Sequence, residues 1–519
     1  CANDKCDRPM VNSSSNRETM MANLSIRERR SILFVVALTL MMVVSAVSGL
    51  NVALPSLARD TGATQREMQW IVDAYTVVFA GLLLFSGAVG DRFGRKNILI
   101  VGVVVFGAAA SFALIFHQPV QLIVIRALMG VGAAFVMPTT LSIITTSFPP
   151  DERGKAVGVW VAVVGGGAVI GLIGTGILLE FFDWSSFFAL NVCLAILGLI
   201  GAITSIPNSK DSQPHRLDVV GAALSLLTVT TLVYAIIEGP VKGWSNTYVI
   251  TSFVIGAVGA ISFVKFELSV KEPMLDPRLF KLRGFGIGSL SLTVQFFAAF
   301  GFFFTILQYL QFVIGYSALK ATLCMLPMPL AMAPLARNAP RIATKVGLNR
   351  VAGFGLASMA LGFYLFSQLL TTDFVYWKFM LCLLLFGMGM GAAGTPATTA
   401  IVSSLPDSKQ GVASAVNDTS REFGSALGIA ILGSILNNHY RDSISSALTQ
   451  LPPQIQDGVK GSIAFVQSDV LKKMNFDASA LVERAKISFL DGVHAAFMTT
   501  SIVLIVAAIV VFKFAPAKD

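Results

Sequence analysis

The chain has 519 residues, 55% of them hydrophobic and only 13% charged, with a formal net charge of +9. A soluble protein carries about 25% charged residues, so this composition excludes a water-soluble domain of that length and places the chain in a membrane. The positive charge gathers in short loops between apolar runs and says nothing of nucleic acid, which is not an expected partner.

Fourteen apolar stretches follow one another, at 32–54, 69–89, 98–116, 120–144, 156–180, 187–206, 218–238, 247–266, 285–313, 319–336, 351–370, 376–402, 411–438 and 492–512. Most approach the ~20 residues that a bilayer requires of a helix. The expected fold is an all-α polytopic membrane protein with 14 transmembrane helices in a 6+2+6 plan. A leader covers 1–31, one six-helix half 32–206, two additional central helices 218–266, and a second six-helix half 285–512. That second half includes an outer loop at 439–490. Lys and Arg favour cytoplasmic loops. With the first terminus inside, 25 of the 38 basic residues fall on that side, while the short outer loops hold only Arg59, Arg66, Lys242 and Lys320. Both termini are therefore expected in the cytoplasm, and 439–490 outside.

The leader is polar and basic without a signal-peptide pattern. Because the chain opens with Cys1, Met20 or Met21 is a possible true start. Cys1, Cys6, Cys193, Cys324 and Cys382 lack zinc-type spacing and are expected to be inert, so no metal site is expected.

The richest stretch is WIVDAYTVVFAGLLLFSGAVGDRFGRK, Trp70–Lys96. From Ile71 to Val89 the only charged side chain is Asp73; Asp91, Arg92, Arg95 and Lys96 then crowd together before Ile98. Gly90 and Gly94 permit a tight turn between two membrane helices. Asp91 stands at a helix C-terminus, and Arg95 and Lys96 at the next N-terminus, each against the local dipole. Such charges either face water and anchor a hairpin, or answer a partner elsewhere.

GAVGDRFGRK (Gly87–Lys96) resembles the signature loop between helices 2 and 3 of the major facilitator superfamily of secondary transporters. WIVDAY (Trp70–Tyr75) resembles the second-helix opening of its fourteen-helix drug:proton antiporters, the quaternary-ammonium and multidrug efflux type. The resemblance implies two halves rocking around a midplane cavity, with Gly90, Asp91, Arg92, Gly94, Arg95 and Lys96 as a gate latch.

GLNVALPSL (Gly49–Leu57) is similar to the exit of helix 1 in that branch, which carries an aspartate where this chain has Ala46. One coupling acid is thus missing or moved. Arg126 lies six residues in from Val120. An arginine at membrane depth costs about 2.5 kcal/mol or more unless it snorkels or meets a cavity or partner, and the family resemblance implies proton handling. FPPDERGKAVG (Phe148–Gly158) has a Gly-Lys pair without Walker spacing, and no nucleotide motif occurs elsewhere, which argues against ATP-driven transport. The glycine-dense helix 5 resembles an antiporter signature at Gly171, Thr175 and Gly176, with Leu172 in place of a proline. Close helix packing explains such glycines equally well.

PNSKDSQPHRL at 207–217 is a polar break between units. TKVGLNR (Thr344–Arg350) is a faded copy of the first loop, with Thr344 where Asp91 would stand, as expected of a parallel repeat. In helix 13, Asp418 and Glu422 share one face and Arg421 can reach Asp418. This is either a solvated helix end or, as the resemblance implies, an acid site near the inner vestibule. Helix 9 carries eight aromatics from Phe296 to Phe312 together with Gln295, Gln308 and Gln311. A few aromatics on one face would suit a flat cation. His117, His215, His439 and His494 are scattered.

The combined expectation is a monomeric, proton-coupled exporter of lipophilic, often cationic compounds in the plasma membrane. It is in contact with lipid, is not an enzyme, and needs no cofactor beyond the proton gradient. Asp73 and Arg126 would handle proton and substrate, with Asp418 and Glu422 as additional acids. Asp73 would face the outer part of the cavity, where proton and cation compete for one carboxylate; a helix dipole alone also suits an aspartate there. Two alternatives stay open: export of an endogenous metabolite or lipid by the same fold, and a polytopic receptor or intramembrane enzyme. Against the enzyme stands the lack of any His-rich, paired-Asp or nucleophile–base constellation within the spans.

Overall fold

Backbone groups inside a bilayer must be satisfied within the helix, so the polar residues collect at helix ends. Ser25 and Glu28 cap the first helix reciprocally, and Thr64 and Glu67 repeat the device on the second. Asp218 and Asn246 cap the two central helices with side-chain oxygens. The computed structural model describes residues 25–210, 217–271, 273–406, 410–448, 452–467 and 479–516. The leader to residue 24, with Cys1, Cys6, Met20 and Met21, lies outside the described residues, as do most of the polar break and parts of the 439–490 stretch.

Among the described residues are fourteen long helices. The first half holds α1 (Ile26–Thr61), α2 (Gln65–Phe93), α3 (Arg95–Phe112), α4 (Pro119–Ser147), α5 (Pro150–Phe181) and α6 (Ser185–Ser205). The central pair is α7 (Val219–Lys242) and α8 (Thr247–Ser269). The second half holds α9 (Arg283–Val313), α10 (Ala318–Val346), α11 (Leu348–Leu369), α12 (Tyr376–Ser403), α13 (Gln410–Ser445) and α14 (Ser479–Phe514). Thirteen of them are long and apolar enough to cross a membrane. The other is α13, whose early turns carry Asn417, Asp418, Arg421 and Glu422; Ala426, Ile429, Ala430 and Leu432 further along it are buried in the bundle.

Several helices overrun the apolar stretches that announce them. α13 continues to Ser445 and α14 begins at Ser479, so helices take both ends of the loop expected at 439–490, and its described middle contains short helices at Pro453–Gly461 and Ile463–Val466. The extra turns are polar and pair with each other, as where Ser443 Oγ donates to Asp491 Oδ2 at 3.1 Å, so hydropathy misses them. α2 likewise runs on through Gly90 to Phe93. The turn into α3 is the single residue Gly94, at φ 102°, a conformation that favours glycine.

The two halves repeat one packing plan. α1 packs on α5 and α6, α2 on α4, and α3 on α4 and α6; α9 packs on α13 and α14, α10 on α12, and α11 on α12 and α14. The repeat reaches single residues. Gly347, at φ 97°, turns α10 into α11 as Gly94 turns α2 into α3. Eight residues after each, Gly102 and Gly355 press against Gly132 and Gly389 of the neighbouring helix, where a Cβ would sit 2.9 and 2.7 Å from backbone oxygen.

The halves meet along α2–α13 and α5–α10. α7 packs into the α2–α13 groove, and α8 packs on α7. With an even number of helices, both ends of the described chain lie at one end of the bundle, together with Gly94 and Gly347. At the opposite, far end the halves are tied. Arg59 Nη2 donates to the Gln311 carbonyl at 3.2 Å, Gln311 Nε2 to the Val52 carbonyl at 3.1 Å, and Gln69 Nε2 to the Ala430 carbonyl at 3.2 Å.

Candidate functional site

A cavity of about 210 Å³ lies between the halves, walled by α1, α2, α4 and α5 on one side and by α9, α10, α12 and α13 on the other. Its surface is apolar and deformable. Met137, Met325, Met328, Met332 and Met390 contribute thioethers, and Phe79, Phe296, Phe300 and Phe303 contribute rings. Methionine walls adapt to varied shapes because the side chain is unbranched and polarizable. Two charged side chains reach this wall, Arg421 and Glu422.

On α13 the Arg421 guanidinium carbon stands 4.5 Å from the centre of the Phe296 ring, and Nη1 lies 3.8 Å from Asp418 Oδ1. Asn417 Nδ2 donates to the same Asp418 oxygen at 3.2 Å. Glu422 Oε2 is buried without a hydrogen-bond partner among the described residues. The expected acid pair is thus divided: Asp418 is engaged by its neighbours, whereas Glu422 faces the cavity beside Arg421.

Asp73 is fully buried eight residues into α2, about 12 Å along the helix at 1.5 Å per residue. Its Oδ1 accepts from Thr76 Oγ1 at 3.2 Å, and Oδ2 has no partner among the described residues. It does not line the cavity, contrary to the expectation. On a helix, positions 69, 73 and 77 share a face. Gln69 on that face meets α13, and Val77 packs with Ala426 and Ala430 of α13 and Val229 and Val233 of α7. Asp73 therefore lies in the seam of α2, α7 and α13, while Phe79, on another face, supplies the cavity wall.

Arg126 is fully buried and meets the opposite face of α2. Its Nε donates to the Ile71 carbonyl at 3.1 Å, and its guanidinium carbon stands 4.2 Å from the centre of the Tyr75 ring. Nη1 donates to the Ala46 carbonyl at 3.2 Å. At Ala46, where the resembling antiporters carry an acid, the backbone thus accepts from the arginine. Asp73 and Arg126 are not brought together.

The charged loop is internally paired. Arg95 donates to Asp91 Oδ1 from Nε at 2.9 Å and from Nη2 at 2.6 Å, across the Gly94 turn. The Arg95 N–H donates to the Ser209 carbonyl at 2.8 Å, and Lys96 Nζ to the Ile203 carbonyl in the last turn of α6 at 2.7 Å. Each charge that opposed its own helix dipole now has an opposite charge or a favourable helix end. Gly90 is helical and faces Thr139; Arg92 lies over Phe93. In the second copy Asn349 Nδ2 donates to the Phe512 carbonyl at 3.3 Å, the counterpart of the Lys96 contact.

On α5, Gly171 presses on Ser45 of α1, where a Cβ would lie 2.8 Å from Ser45 Cα. Thr175 Oγ1 abuts Gly49, and Gly176 faces Leu319 of α10. These three positions bring α1, α5 and α10 together. Sequence reasoning overlooked the cavity methionines, although Met325, Met328 and Met332 form a stripe at helical spacing. It also overlooked Arg59 and Gln69, whose partners are distant backbone carbonyls.

Comparison with known proteins agrees with this architecture. The sequence profile of the Major Facilitator Superfamily matches residues 34–429. The methyl viologen resistance protein SmvA of Salmonella typhimurium is 34% identical over 79% of this chain and 83% of its own length. The multidrug efflux pump LfrA of Mycolicibacterium smegmatis is 31% identical over 92% and 95%. Among solved structures, a bacterial homolog of the human lysosomal transporter Spinster, inward-facing and unoccupied, superposes with a TM-score of 0.66. That match has 14% identity and covers 94% of this chain and 97% of the other, a likeness of fold.

Proposed function

The chain belongs to the major facilitator superfamily, as a transporter of its drug-efflux kind, and from that premise we propose that it expels lipophilic, often cationic compounds in exchange for protons. The observation that carries the proposal is the cavity between the halves. It is apolar and methionine-walled, and Glu422 offers a carboxylate oxygen, Oε2, with no hydrogen-bond partner among the described residues. Such a wall takes varied ring systems, and the carboxylate attracts a positive centre. Methyl viologen, named for the relative SmvA, is a flat dication of that class.

Asp73 supplies the second acid, in a seam where the two halves touch. Protonation there removes a buried charge, and exchange of proton for cation at Asp73 and Glu422 couples the two fluxes. Arg126 holds α1 and α2 in register around that exchange. The Asp91–Arg95 pair acts as the latch at the termini end. Both termini face the cytoplasm, the far end faces outward, and the protein works as a monomer in the plasma membrane.

The test is efflux of a fluorescent lipophilic cation from cells expressing the chain, with and without a protonophore. Efflux above the empty-vector control that collapses with the protonophore is expected. Efflux that survives the protonophore, or none above control, overturns the proposal.

A further inference from the structure

The α7–α8 pair has so far no part in transport, yet α7 occupies the α2–α13 seam in which Asp73 is buried. Its fastenings to the two sides differ in kind. Toward α2 the fastening centres on Glu238, which is 5% exposed. Its Oε1 accepts from the Trp70 indole at 3.1 Å; its Oε2 lies 3.4 Å from Arg66 Nη1 and 3.2 Å from Lys242 Nζ. Trp70 also packs on Tyr234 of α7 with ring centres 6.0 Å apart. Trp70 is three residues before Asp73, so this hub sits one turn from the acid.

Toward α13 the fastening is neutral and sparse. Ser434 Oγ donates to the Ile236 carbonyl at 2.7 Å, and around it Val229, Val233 and Ile237 pack with Ala426 and Ala430, with Phe423 of α13 against the same cluster. The bonds from Trp70 and Arg66 of α2 end on a buried carboxylate, and charge-assisted bonds are about twice as strong as neutral ones, while alanines present a smooth, easily parted surface. α8 packs on α7, and Lys242 reaches over the Tyr248 ring of α8 at 5.8 Å, so α8 follows α7.

We propose that Glu238 locks α7 onto α2, that α7–α8 therefore moves as part of the first half, and that the parting seam lies between α7 and α13 at Ser434. The central pair is then a moving wall that keeps Asp73 covered from lipid on the α2 side throughout the cycle. The inference rests on the alternating-access reading above.

Disulfide pairs test it in a background whose native cysteines are replaced and whose dye efflux is retained. Gly81→Cys with Leu226→Cys bridges α2 to α7, where a Cβ added at Gly81 would stand 3.2 Å from the Leu226 Cβ, so that a shift of a few tenths of an ångström brings the pair to disulfide spacing. Ile236→Cys with Ser434→Cys bridges α7 to α13. After oxidation the first pair is expected to keep exporting, and the second to lose export and regain it on reduction. Loss in the first pair, or export undiminished in the second, overturns the proposal. Adding Glu238→Ala to the oxidised second pair is expected to restore part of the export, because α7 is then free to travel with α13; no recovery removes Glu238 from this role. Should the glycine variant fail to fold, nitroxides on Tyr248 and Ile115 of the first half, and on Tyr248 and Trp377 of the second, replace it. The first distance is expected to stay constant and the second to change when the transported dye is added; the reverse overturns the proposal. A native chain that exports no dye overturns the efflux reading itself and this proposal with it.

Discussion

The Arg126 guanidinium carbon stands over the Tyr75 ring, 4.2 Å from its centre, while its Nε and Nη1 donate to the carbonyls of Ile71 and Ala46. One planar group thus joins α4 to both α1 and α2 in a fully buried site. Lysine keeps the charge but cannot make this fork. Arg126→Lys is expected to insert normally yet lose most dye efflux and melt at lower temperature. Tyr75→Phe keeps the ring and loses only the hydroxyl bond to the Val43 carbonyl, for about 1 kcal/mol of stability and little efflux. Fluorescence-detected melting together with efflux at matched expression separates the two.

Asp73→Asn is expected to leave expression and melting intact while abolishing pH-driven efflux of cationic dyes, with Asp73→Glu retaining part. An asparagine variant that drives dye against a gradient at the native rate would move the coupling to Glu422 or Asp418.

For the latch, Asp91→Asn removes the negative charge behind the two bonds from Arg95 and is expected to lower efflux sharply in an inserted, folded protein. Lys96→Gln is expected to be milder, since Asn349 makes the matching contact in the second half without a charge. The exchange Asp91→Arg with Arg95→Asp distinguishes a pair from two separate charges. Rescue of efflux by the exchange identifies the pair as the working unit, and native efflux by Asp91→Asn alone returns the loop to plain membrane anchoring.

The α5 glycines divide by what faces them. A Cβ at Gly171 would meet Ser45 Cα at 2.8 Å, whereas Gly174 has nothing within 4 Å. Gly171→Ala is expected to cost about 1–3 kcal/mol as overpacking, read as a lower melting temperature, and Gly174→Ala to be neutral.

The orientation is checked by accessibility tags. Tags at residues 1 and 519 are expected to report cytoplasm, and one inserted at Gln456 the outside. A cytoplasmic Gln456 would break the fourteen-span plan and with it the assignment of every loop.

The spans were legible because a bilayer enforces apolar length on any crossing helix. Their ends were not, because the last turns of α13 and the first of α14 mix paired polar side chains, such as Ser443 and Asp491, with buried Ile444, Ala485 and Phe489, and so fall below an apolar run. The Asp91–Arg95 contact has the ordinary i, i+4 spacing, and the intervening Gly94 disguised it as two separate helix ends. Asp73 was visible as a lone charge, but which helix it faces depends on α7 and α13, more than 140 residues away in the chain. Arg126 was found by its depth; its partners are backbone carbonyls, which no side-chain pattern names.

The five methionines of the cavity wall carry one further consequence, for durability. A thioether that gains an oxygen becomes a polar, chiral sulfoxide. Oxidants that reach Met325, Met328 or Met332 would turn a greasy, compliant wall into a wet and stiffer one, and the reversal of that damage needs a reductase able to reach it or new synthesis. A pump that clears redox-active compounds through this path would therefore age in proportion to the traffic it carries.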